Sequence, residues 1–190
     1  VTMQQLQQDE APLWELAASG SPAFNHARYL LSASGYPVYD EADATYFPCG
    51  EDCWRAMLRE LKKAEKYIFI EFFIIARGKM WDSVLEILTR KAAAGVTVRV
   101  VYDDFGCITR LPMGYAKKLA ARGIQAHAFN QYIPILSARL NNRDHRKLMI
   151  IDGKAAFTGG VNLADEYINE THPHGNWKDC GILVRGKAVW

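Results

Sequence analysis

The sequence predicts an α/β fold: a mixed, largely parallel sheet flanked by helices on both faces. Three observations carry this expectation. Apolar, strand-like runs alternate with amphipathic helical stretches between Tyr67 and Phe129, the rhythm of β-α-β units. The helical stretches close on Gly95 and Gly123, where a left-handed cap ends a helix without a Cβ clash. Asp152-Gly153 then joins two short apolar runs, a turn dipeptide suited to a hairpin. With 190 residues, 49% of them hydrophobic and 23% charged, the chain can bury the core of one globular domain.

In chain order, Met3 to Ala18 carries a loose helical pattern interrupted by Pro12. Ser21-Pro22 reads as an N-cap followed by proline at the first helical position, opening a helix to about Leu31. Tyr36 to Phe47 is mixed, with short strands around the Gly35 and Pro37 turn. Gly50-Glu51-Asp52 introduces a helix to about Lys66, with Trp54, Met57, Leu58, Leu61 and Ala64 on one stripe. Its acidic start and basic end suit the helix dipole. Strands follow at Tyr67–Ile75, Val96–Tyr102 and Ile124–Phe129, with helices at Trp81–Ala94 and Pro112–Arg122 between them. Leu148–Asp152 and Ala155–Thr158 form the hairpin, Leu163–Tyr167 a short helix and Lys178–Val184 the last strand. The loop from Gln131 to Asn142 has an apolar centre, Tyr132 to Leu136, read either as packing or as a lip that meets acyl chains.

The chemistry concentrates in Asn141-Asn142-Arg143-Asp144-His145-Arg146-Lys147, with Asp152 and Gly159-Gly160-x-Asn162 shortly downstream. Two residues apart on a strand, His145 and Lys147 project from the same face. A nucleophile or proton carrier then stands beside a fixed cation. Paired glycines let backbone N–H groups approach an anion, and Asn162 adds a neutral donor. Such a set suits a phosphate ester. Asp152, five residues beyond Lys147 at a turn, falls on the opposite strand face, which points to a structural role.

Composition excludes other classes. A net charge of +2 makes no broad cationic field, so no nucleic-acid partner is expected, although Arg139, Arg143, Arg146 and Lys147 are locally basic. Cys49-x-x-x-Cys53 has no His or Cys partner at zinc spacing, and Cys107 and Cys180 complete no framework, so neither a metal nor a disulfide is expected. The most apolar run, Tyr67 to Ala76, holds Glu71 and falls short of the roughly 20 residues a membrane-spanning helix needs. No signal peptide is read at the start of the chain, and the fragment is expected to be soluble.

The His145-x-Lys147-x-x-x-x-Asp152 pattern, with Gly159-Gly160-x-Asn162 behind it, resembles the catalytic motif of the phospholipase D superfamily. Asn141-x-Arg143-x-His145-Arg146-Lys147, Trp177-Lys178-Asp179 leading to Gly186-Lys187-Ala188-Val189, and Val98 to Gly106 narrow the likeness to bacterial cardiolipin synthases. The resemblance implies residues 45–190 as the first of two catalytic halves, after a helical lead-in over 1–44 packed on it.

It further implies a phosphatidyltransferase that makes cardiolipin from two phosphatidylglycerol molecules through a phosphohistidine, needing no cofactor. His145, Lys147, Asp152, Asn162 and Asp179 are the catalytic set it carries over. Asp179 is the candidate that fixes the His145 tautomer, while Lys147 and Asn162 hold the non-bridging oxygens. Arg143, Arg146, Asn141, Gly159, Gly160 and Glu71 are the phosphate-binding candidates, Glu71 equally readable as a structural anchor. Asp103 and Asp104, ending a strand, are read as turn formers. The implied partners are an anionic phospholipid, the cytoplasmic face of the cell membrane, and a second catalytic half or a second copy. Two rival functions stand beside this one. The first is a phospholipase D-type phosphodiesterase or single-motif nuclease acting as a homodimer, and the second is a non-catalytic module binding anionic lipid.

Overall fold

The structure, a computed structural model, describes residues 10–131 and 141–189. Chain contacts divide it into two compact units, Val1–Ala42 and Asp43–Trp190. The first contains α1 (Ala11–Ala18), with Pro12 in its opening turn, and α2 (Phe24–Ser34), closed by left-handed Gly35. Trp14 and Phe24 approach to 6.5 Å between ring centroids. The expected Ser21 cap lies outside the helix proper: its hydroxyl accepts from Ala23 N–H, so it closes a turn one step before α2.

The second unit is built on a seven-stranded sheet ordered β1-β7-β6-β5-β2-β3-β4. The strands are β1 (Ala42–Phe47), β2 (Tyr67–Phe72), β3 (Thr97–Asp103), β4 (Gln125–Phe129), β5 (Lys147–Ile151), β6 (Ala155–Gly159) and β7 (Gly181–Gly186). Helices α3 (Gly50–Lys63), α4 (Lys79–Ala93), α5 (Asp104–Cys107) and α6 (Tyr115–Ala120) connect them. Pairings β2–β3 and β3–β4 are parallel, whereas β2–β5, β5–β6 and β6–β7 are antiparallel. The parallel share is therefore smaller than the sequence suggests, because the β-α-β rhythm of residues 67–129 does not extend to the whole sheet. A tight turn cannot join parallel strands, and Asp152 (φ 55) and Gly153 (φ 66) make such a turn between β5 and β6.

Alternation sorts the side chains. Ile68, Ile70 and Phe72 of β2, Val98, Val100 and Tyr102 of β3, Met149 and Ile151 of β5 and Phe157 of β6 share the buried face. Helix α6 covers it through Tyr115, whose ring meets Tyr102 and whose hydroxyl accepts from Trp81 Nε1 of α4. Helix α4 in turn packs on α3. Right-handed crossovers along one strand direction place α4 and α6 on the same side. The opposite face, with Tyr67, Phe69, Val101, Leu148 and Ile150, stays partly exposed, so α3, α4 and α6 form one helical layer where the sequence suggests helices over both faces. Among the described residues no helix is long and apolar enough to cross a membrane.

Candidate active site

Lys147 opens β5 opposite Phe72, the last residue of β2, so the motif lies at the C-terminal end of the parallel strands. The ladder continues one step further, where Phe73 N–H donates to Arg146 carbonyl. His145 is exposed and Lys147 is buried. Lys147 Nζ lies 3.2 Å from His145 Nδ1 and donates to His145 carbonyl at 2.7 Å. Phe73 backs both groups, with its ring 4.7 Å from the imidazole and 5.3 Å from the ammonium. Burial lowers the Lys147 pKa from the usual lysine range, and Asp179 and Asp144 pull it back up. The result is an accessible imidazole with a desolvated cation on its flank.

An ammonium can only donate, so the Lys147 contact suits a His145 tautomer whose Nδ1 is the acceptor. The expected carboxylate on Nδ1 is not the contact seen. Asp179 instead stands where its field acts on Lys147, with Oδ1 accepting from Cys180 N–H.

The glycine pair serves a different purpose from the one expected. A Cβ on Gly160 would collide with the Asp179 carboxylate, and one on Gly159 (φ 144) would meet Cys180 carbonyl at 2.5 Å. Gly160 N–H already donates to that carbonyl. The glycines thus admit β7 and Asp179 close to the site, rather than offering free N–H groups to an anion. Asn162 is similarly engaged: Oδ1 accepts from Ile74 N–H and Nδ2 donates to Tyr167 hydroxyl. It ties the chain after β6 to the end of β2.

Asp152 is far from the chemistry. Seven extended residue steps at about 3.3 Å each, running through the five residues of β5, put it on the order of 20 Å from His145. Its oxygens accept from the backbone N–H groups of Glu65, Lys66 and Tyr67 at 2.8, 2.8 and 2.7 Å. Burial works to raise its pKa, but those three donors hold it below the usual carboxylate range. It belongs with the scaffold, clamping the start of β2 to the β5–β6 turn, and leaves the catalytic set.

The phosphate-binding candidates also divide. Arg143 is largely buried, with Nη1 reaching Asp103 Oδ1 (3.3 Å) and Asn130 carbonyl (3.1 Å) and its guanidinium over Phe105. Asn141 is exposed at the start of the segment. Arg146, alternating with His145 and Lys147, faces the other side of the strand, where it pairs with Glu71 (2.7 Å) and Asp144 (2.9 Å). Glu71 is accordingly an anchor on that face. Burial, then the neighbouring Asp144 carboxyl, push Glu71 up to about 7 against the pull of Arg146.

A raised acid pKa means that the protonated form suits the fold. The stability it contributes is full below the ordinary glutamate range and is lost as pH rises through about 7. Glu71→Gln, always neutral, is expected to shrink the melting-temperature difference between about pH 5 and about pH 8. An unchanged difference would mean that Glu71 is not the titrating group.

Residues outside the His145-x-Lys147 motif position the site. Asp103, fully buried, accepts from Gly106 N–H and Asp144 N–H (both 2.9 Å) besides pairing with Arg143, and so holds the backbone just ahead of His145. Asn169 (φ 53) brackets Trp177 with two hydrogen bonds, setting the approach to Asp179. Asp165 accepts from the N–H groups of Lys79 and Met80 at the start of α4. Only Asp103, at the end of a parallel strand, carries a signal visible in the sequence. All four cysteines are free, and among the described residues no group of His, Cys, Asp or Glu could hold a metal ion. Tyr132 to Leu136 lies outside the described residues.

This sheet, with a histidine–lysine pair at its rim, is the architecture of phospholipase D-like domains. The solved structure of Nuc from Salmonella typhimurium, a phospholipase D family member, superposes with a TM-score of 0.53 at 16% identity, over 77% of this chain and 84% of that one, which supports the fold alone. The chain belongs to the family described as "Cardiolipin synthase, PLD-like domain", whose model matches residues 57–174. A protein from Streptococcus mutans described as uncharacterised is 45% identical over 183 residues, 96% of this chain and 40% of that protein. A cardiolipin synthase from Geobacillus kaustophilus is 34% identical over 179 residues, 92% of this chain and 36% of that protein. The chain thus spans well under half the length of these relatives.

Proposed function

We propose that this chain supplies one histidine–lysine half-site of a phosphatidyltransferase that makes cardiolipin from two phosphatidylglycerol molecules. The observation that carries the reading is the exposed His145 imidazole with buried Lys147 at 3.2 Å, in a chain of the cardiolipin synthase family. A histidine nitrogen bonds to phosphorus, the bond from phosphorus to the headgroup glycerol breaks, and glycerol leaves with a proton from an acid across the site. A hydroxyl of the second phosphatidylglycerol then attacks the phosphohistidine, returns its proton to the same group and frees the imidazole. The ring nitrogen must be unprotonated to attack. If Nε2 is that nitrogen, its hydrogen must first move to Nδ1, displacing the Lys147 contact and swinging Lys147 toward the phosphate.

Lys147, with Asp179 beside it, stabilises the charge that builds on the phosphoryl oxygens. The opposing acid comes from a second catalytic half or a second copy of the chain. With a lipid as substrate, the enzyme works at the cytoplasmic face of the cell membrane.

The test is incubation of the chain, alone and together with the second catalytic half, with phosphatidylglycerol vesicles and resolution of the products by lipid mass spectrometry. Cardiolipin in step with released glycerol is expected. Phosphatidic acid as the sole lipid product would replace this reading with the phosphodiesterase, in which water takes the place of the second lipid.

A further inference from the structure

Between β3 and α6 the chain runs along the C-terminal rim of the parallel strands, the same rim that holds His145 and Lys147. This connection exposes three large apolar side chains within nine residues: Phe105 and Ile108, each about half exposed, and Met113, fully exposed. Met113 precedes Gly114, whose left-handed backbone (φ 69) turns the chain into α6. A methionine with no covering at the crest of a turn contributes nothing to this domain's core. Along the chain beyond Phe105 the charges are of one sign, although Asp103 and Asp104 precede it and Asp82 and Glu86 of α4 line the same groove as Lys118. From residue 105 to 124 the sequence holds Arg110, Lys117, Lys118 and Arg122 and no carboxylate. Arg110 is committed to Glu166, but Lys117 and Lys118 lie exposed in α6, within five residues of Met113.

The combination selects the partner. A nucleic-acid surface would match the lysines and not the apolar groups, whereas an anionic bilayer matches both at once. Its phosphates lie at the level where lysine ammoniums end, and its acyl chains begin a few ångströms deeper, within reach of a methionine. Apolar side chains on a turn, flanked by lysines, have the layout of such an interface.

We propose that the 105–118 rim is a docking surface for an anionic bilayer, with Ile108 and Met113 entering the acyl boundary and Lys117 and Lys118 meeting lipid phosphates. The inference rests on the phosphatidyltransferase reading for its purpose, since it brings the exposed His145 to the headgroup level. It rests on the rim alone for its physics. Phe105 links the two regions directly, because its ring lies 5.3 Å from the Arg143 guanidinium, two residues ahead of His145.

Co-sedimentation with phosphatidylglycerol vesicles and with neutral phosphatidylcholine vesicles tests it, using the full chain, an Ile108→Ser/Met113→Ser variant and a Lys117→Ala/Lys118→Ala variant. Loss of the apolar pair is expected to weaken binding to phosphatidylglycerol vesicles by about tenfold or more. Loss of the lysine pair is expected to weaken it by about fivefold per charge and to leave binding to neutral vesicles unchanged. All four side chains are exposed, so melting temperatures should match the parent. Turnover of a short-chain phosphatidylglycerol dispersed below its micellar concentration separates docking from chemistry, and both variants should retain it. Vesicle binding unaltered in both variants, or absent in the parent, overturns the docking surface whatever the products are. Absence of turnover with both catalytic halves present, and vesicle binding lost in the variants as expected, overturns the phosphatidyltransferase reading and leaves the docking surface standing.

Discussion

Replacing His145 by alanine is expected to lower phosphatidyl transfer by about three orders of magnitude or more while leaving the melting temperature within a degree or so of the parent. The asymmetry comes from its surroundings. The imidazole is exposed, and its contacts are Lys147 and the ring of Phe73, so truncation opens no cavity in the core. All of the loss should therefore appear in turnover. A labelled phosphatidyl group trapped by rapid quenching would be acid-labile in the parent and missing from the variant. Residual transfer within about tenfold of the parent would remove His145 from the reaction path. Lys147 offers the instructive contrast, because it is buried: its loss strikes packing as well as charge stabilisation.

The second large effect belongs to Asp103. Alanine there removes the acceptor for Gly106 N–H and Asp144 N–H and leaves the largely buried Arg143 guanidinium without its carboxylate. Breaking a buried pair by deleting one partner costs about 3–5 kcal/mol, because the remaining charge stays desolvated. Chemical denaturation should show that loss. Turnover should fall as well, since Asp144 N–H is the backbone anchor immediately before His145. Asp103→Asn keeps the shape and one acceptor, so its loss should be intermediate. A cost below about 1 kcal/mol for the alanine variant would show that Arg143 finds another partner.

These two residues also mark the boundary between what the chain announces and what it conceals. His145 and Lys147 are legible because a strand has a period of two: spacing alone places them on one face, and the structure brings them to 3.2 Å. The β5–β6 hairpin is legible for the same kind of reason, since Asp-Gly is one of the few dipeptides that tolerates positive φ at both central positions. Asp103 is visible in the sequence as the end of a strand, within the Val98–Gly106 run, and reads there as a turn former. Its role depends on a hydrogen bond to a residue 41 positions away.

Arg146 shows that nearness to a motif along the chain is not nearness to the chemistry, while Glu71 and Asp152 take the structural roles that the sequence also allowed them. Alternation turns Arg146 onto the far face with Glu71, and strand length carries Asp152 to the opposite end of the sheet. The glycine pair misleads differently. Its backbone freedom suggests room for a ligand, when the neighbour that needs the room is Asp179, on the approach to another strand.

By itself the sequence determined the elements, the mixed α/β class, the family and the histidine–lysine pair, because periodicity, turn chemistry and motif spacing act over a few residues. Tertiary structure alone decided the strand order, the single layer made by α3, α4 and α6, the partner of each carboxylate and the apolar rim beside the site. Those depend on which distant segments meet, and that is set by burying the whole apolar face of the sheet at once, a condition no local stretch of sequence contains.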